Sequence, residues 1–174
     1  QLWYTNVNYQ LPYLAPNVPL DNPVGVYKKK FDFTPRGRTY IMFDGVCSMF
    51  LVYLNGEYVG MSKGAHRAHE FELTKYIKDG ENELCVVVTT YSDATYIEDQ
   101  DFLRYNGIFR SVYIISRDEN HIRDFFIHAC GDGSVKVDFD FVGECQTPIV
   151  TLFDGDKSLC SMKVPAPRLW NAEE

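Results

Sequence analysis

Little in this 174-residue sequence suits a membrane or a nucleic acid. The apolar run Leu84–Val88 is only five residues long, whereas a spanning helix needs about twenty, and no stretch approaches that length. Basic residues are scarce, with 17 Lys and Arg against 24 Asp and Glu, so a net charge of −7 repels phosphate backbones. The basic run Lys28-Lys29-Lys30 lies between Tyr27 and Phe31 and reads as part of a solvated strand. The five cysteines, at 47, 85, 130, 145 and 160, are odd in number and lack C-x-x-C spacing. They read as reduced packing groups in a cytoplasmic protein. No Asn-x-Ser/Thr acceptor occurs, and Gln1-Leu2-Trp3-Tyr4 is no charged n-region leading into an apolar segment, so secretion finds no support.

What is present is core material: 45% hydrophobic and 15% aromatic residues, with 24% charged residues arguing against disorder. Four of the eight prolines fall within the first 23 residues, which read as an extended arm. Short β-rich runs follow at 24–33, 38–44, 49–54, 57–60, 67–73, 83–90 and 108–116, broken by Gly and Asn, as in a β-sandwich. Asn55-Gly56 is a strong hairpin signal, because a type I′ turn needs two residues that tolerate positive φ. Thr74–Ile77 reads as one helical turn. Tyr91–Asn106 has no period yet is rich in Tyr, Asp and Glu, the mark of a functional loop. A second series begins after Arg117-Asp118-Glu119, with Val135, Val137, Phe139 and Phe141 alternating against Lys136, Asp138 and Asp140. The boundary is placed near 118, and the four strands expected beyond it at 122–129, 135–142, 149–153 and 158–164 fall short of a full immunoglobulin-like sandwich.

Asn22-Pro23-Val24-Gly25-Val26-Tyr27, with Phe31 beyond, resembles the entry of the sugar-binding domain in family 2 glycoside hydrolases. Further blocks agree in order: Phe43-Asp44-Gly45-Val46, Ser48, Phe50, Asn55-Gly56, Val59-Gly60, Glu70-Phe71 and Leu73. The densest match runs from Ser92-Asp93 and Tyr96 through Glu98-Asp99-Gln100-Asp101 and Arg104 to Gly107-Ile108-Phe109-Arg110. Arg168-Leu169-Trp170-Asn171-Ala172-Glu173 resembles a signature of the family's immunoglobulin-like second domain. Thr5-Asn6-Val7 and the 98–101 run point to the β-galactosidase branch, although Gln10 replaces a proline common there and residues 143–167 are short for the blocks they join.

The resemblance implies an all-β chain: a jelly-roll sandwich over 1–118 with its N-terminal arm, then a partial immunoglobulin-like sandwich over 119–174. It implies the non-catalytic N-terminal part of a β-galactosidase, whose two catalytic glutamates lie on a barrel beyond Glu174. Such retaining chemistry needs two carboxyl groups about 5–5.5 Å apart, and no catalytic residue is assigned here. Asp101 is expected to accept hydrogen bonds from galactose hydroxyls or to ligate a monovalent cation, and Asn6 to touch the same sugar; both fit because carboxylates offer only acceptors and amides offer both roles. The intact enzyme is expected to use sodium and magnesium, the chain itself no cofactor, and the parent to be a homo-oligomer that acts on β-galactosides. A free-standing carbohydrate-binding or lectin-like module is the alternative. Arg104 is expected to pin the loop through an ion pair and Phe109 to belong to the core. His66 and His69 read as a polar strand edge, not metal ligands, and Asp154-Gly155-Asp156 as a β-turn.

Overall fold

The computed structural model describes residues 14–98, 106–144 and 147–163. Their thirteen strands and single four-residue helical turn make the chain all-β. It divides into two compact units, Gln1–Ser116 and Arg117–Glu174.

In the first unit, β1 (Val24–Phe33), β7 (Gly80–Thr89), β4 (Met49–Leu54) and β5 (Glu57–Lys63) form one antiparallel sheet in the order β1-β7-β4-β5. A second sheet runs β6 (His69–Glu72), β2 (Arg38–Phe43), β9 (Val112–Arg117), and a two-stranded pair joins β3 (Val46–Cys47) to β8 (Gly107–Ile108). The two larger sheets face each other. Their alternation places Ile41 and Phe43 from β2, Phe50, Val52 and Leu54 from β4, and Val86 and Val88 from β7 in one buried cluster with Val46 and Leu73. Phe43 and Phe50 rings lie 5.0 Å apart, and Phe71 meets both edge-on at 6.0 and 5.7 Å. Each such side chain contributes about 1.5–3 kcal/mol on burial, so this jelly-roll sandwich carries the unit's stability. The β4–β5 hairpin turns at Asn55-Gly56, with φ of 54° and 84°, the conformation the pair is suited to.

The expected turn at 74–77 is present, Tyr76 and Ile77 both donating to the Leu73 carbonyl. The single strand expected at 108–116 is instead two, β8 and β9. The chain leaves the ladder at Phe109–Ser111, where Phe109 N–H bonds the Gly45 carbonyl and Asp44 N–H bonds the Ser111 carbonyl.

The second unit holds two antiparallel hairpins, β10 (His121–Ala129) with β11 (Val135–Val142) and β12 (Ile149–Asp154) with β13 (Lys157–Lys163). The second of these turns at Gly155-Asp156, as a β-turn. None of its described residues is buried, and Phe125, Phe126, Phe153 and Met162 are exposed.

Candidate functional site

Where β1 begins, the end of the proline-rich arm meets both ends of the 91–106 segment. Pro23 biases Asn22 toward an extended backbone, and the Asn22 amide then faces the Tyr91 peptide. Its Nδ2 donates to the Tyr91 carbonyl at 2.9 Å and its Oδ1 accepts from Tyr91 N–H at 2.9 Å. The neighbouring Pro23 carbonyl accepts from Thr90 N–H at 3.0 Å and Thr90 Oγ1 at 2.8 Å. Tyr96 Oη donates to the Asn17 carbonyl. At the far end Gly107 has φ +86°, and a Cβ there would run into the Tyr27 hydroxyl, so only glycine brings the segment home against β1. Pro23, Tyr27, Thr89, Thr90, Asn106 and Gly107 line a cleft of about 220 Å³. That is smaller than the roughly 300–1,000 Å³ of a self-sufficient ligand pocket.

The segment's first half is braced from below. Ser48 Oγ, buried at the start of β4, is shared with Ser92 Oγ and lies 3.1 Å from Thr95 Oγ1. Asp93 pairs with Lys63 at 2.7 Å, and this bond holds its carboxyl below the usual carboxylate range. The helical turn α1 (Thr95–Glu98) ends with Glu98 Oε1 accepting from Ala65 N–H at 2.6 Å, while Oε2 is buried and meets no donor among the described residues. Burial first, and then the charge of Glu98, push the nearby Cys47 thiol up to about 11.

Glu98 and Asp93 are therefore engaged in holding the segment. His69 uses both ring nitrogens, with Nδ1 2.8 Å from Ser62 Oγ and Nε2 2.9 Å from the Gly64 carbonyl. The His66 ring packs tilted against Phe109, with centroids 5.4 Å apart. Among the described residues no three His, Cys, Asp or Glu side chains gather to hold a metal ion. Asn6, Asp99, Gln100, Asp101, Arg104 and the 168–173 signature lie outside the described residues. Two expectations need correction. Phe109 is half-buried outside the core cluster, because it departs from the ladder and packs beside Gly45, His66 and the Arg110 guanidinium. Cys130 and Cys160 are exposed, so they are not packing groups. The Ser48 network and the Asn22 clamp were missed; an Asn before proline opposite a Thr-Thr-Tyr strand end was the available signal.

Among the described residues, the arm and the loop of this open β-sandwich are stitched together beside a small cleft. Residues 1–118 match the model described as "Glycosyl hydrolases family 2, sugar binding domain". The chain belongs to this family. A β-galactosidase of Actinobacillus pleuropneumoniae is 37% identical over 185 residues, covering 98% of this chain and 18% of that protein. One of Staphylococcus xylosus is 43% identical over 128 residues, 72% of this chain and 13% of its own length. The solved structure of a putative β-galactosidase from Bacteroides fragilis superposes with a TM-score of 0.67 at 25% identity, over 81% of this chain and 24% of that one. This chain thus spans about a fifth or less of the curated relatives it matches.

Proposed function

We propose that the chain is the non-catalytic N-terminal part of a β-galactosidase that helps form the galactoside subsite and packs on the catalytic barrel. The observation that carries this reading is the likeness to β-galactosidases across 98% of the chain. The small cleft and the braced segment support a shared subsite over a complete one. In this reading residues 119–174 belong to an immunoglobulin-like domain, and the parent is a cytoplasmic homo-oligomer. The free thiols of Cys47, Cys85, Cys130 and Cys160 support a reducing compartment.

Asp101 contributes acceptor oxygens to galactose hydroxyls or to sodium, and Asn6 reaches the same sugar. Hydrogen bonds to charged groups are worth about 1.5–3 kcal/mol, so Asp101→Asn in the full-length protein should lower kcat/KM roughly ten- to two-hundredfold with little change in Tm. Asp99→Asn is the control, and sodium is varied alongside. Wild-type kinetics for Asp101→Asn would remove Asp101 from the subsite.

A further inference from the structure

A cluster of polar contacts outside the core lies between residues 17–23 and 90–96, two segments about seventy positions apart in sequence. Five hydrogen bonds join them: two at the Asn22 amide, two at the Pro23 carbonyl and one from Tyr96 to Asn17. Of the side chains that fit, an amide alone presents a fixed donor and a fixed acceptor, and so can pair with both polar atoms of one peptide as a neighbouring strand does. Asp would set oxygen against the Tyr91 carbonyl, and Ser would reach one atom at most. Beyond Tyr91 the segment is gripped again through Ser92, Asp93, Thr95 and Glu98, so whatever moves Asn22 moves a body anchored to β4, β5 and the Gly64–Ala65 turn.

We infer that Asn22 is a positioning residue which, with Tyr96, latches the N-terminal arm to the 91–98 segment so that the two segments present one galactoside subsite. The inference rests on the subsite reading above, in which Asn6 precedes the latched end of the arm in sequence and Asp101 follows the 91–98 segment. Asn22 touches no reacting atom and acts through the backbones it joins.

Hydrogen exchange on the 174-residue chain tests the latch itself. In Asn22→Ala, exchange should quicken by about tenfold at 14–23 and at 90–98 together, while amides of Ile41, Val52 and Val86 keep their wild-type rates. Tyr96→Phe, which removes one bond and keeps the ring, should give a smaller rise in the same two segments. Quickening on one side only would overturn the latch. Kinetics on the full-length protein test its use: Asn22→Ala should raise KM for an aryl β-galactoside about tenfold while kcat stays within about twofold. A general loss of folding would instead lower kcat through the active fraction and leave KM alone, and that result would also overturn the inference. Asp101→Asn run in parallel separates the two readings. If Asp101→Asn impairs turnover but Asn22→Ala leaves KM unchanged, the latch role falls and the subsite stands. If Asp101→Asn is silent, the subsite reading fails and the positioning role falls with it, whatever the exchange data show.

Discussion

Cys47 sits between Val46 of the core and the buried Ser48, with the Glu98 carboxylate nearby, and its thiol is pushed from an ordinary 9.0 to about 11. Since the thiolate is the nucleophile, this residue should stay inert where exposed thiols react. Brief alkylation at pH 8 followed by peptide mass spectrometry should label Cys130 and Cys160 well before Cys47. Equal labelling of all three would mean the β3 end of the sandwich is open. The sign of the pH effect follows from burial. The folded state prefers the neutral thiol, so this contribution to stability is complete below about 9 and is lost as pH rises toward 11.

The β4–β5 hairpin shows what was legible in the sequence. Asn55-Gly56 marked the turn because its chemistry is local: two residues tolerant of positive φ between alternating strands. The rest of the turn's support is not local. Asn82, 1% exposed, accepts from Asn55 Nδ2 and Lys78 N–H at 2.9 Å each, and donates to the carbonyls of Lys78 at 2.8 Å and Gly80 at 2.9 Å. Asn55 in turn accepts from Glu83 N–H at 3.0 Å. Nothing in the sequence pairs positions 55 and 82, so this network could not be read there. Asn82→Ala strands several buried polar groups and should cost about 2–4 kcal/mol, seen as a lower urea midpoint at unchanged m-value. A loss under 0.5 kcal/mol would mean water replaces the side chain. The same distinction between local and distant causes explains the other elements. Strands β1, β4 and β11 were expected with their observed bounds. The helical turn α1 was not, because four residues carry no period and it is held by Ser48, just before β4, and by Ala65, in the turn after β5, both remote in sequence.

Across the whole molecule, burial is lopsided. Every buried residue among those described lies between Thr39 and Gly107, in the unit that the family model matches, while the second unit shows Phe125, Phe126, Phe153 and Met162 to solvent. Of the candidate site, the motif blocks made the family legible and the loop conspicuous. What they could not show is that Glu98 and Asp93, acidic residues on that loop, serve as anchors. A hydrolase needs an acid and a nucleophile facing one bond. The described part of the loop supplies a latch, a small cleft and two carboxylates, Asp93 and Glu98, bonded to Lys63 and Ala65. The most direct measurement is therefore an aryl β-galactoside assay on the pure 174-residue chain. The account predicts no release above a mock preparation at any pH between 5 and 9, and steady turnover that scales with chain concentration would contradict it.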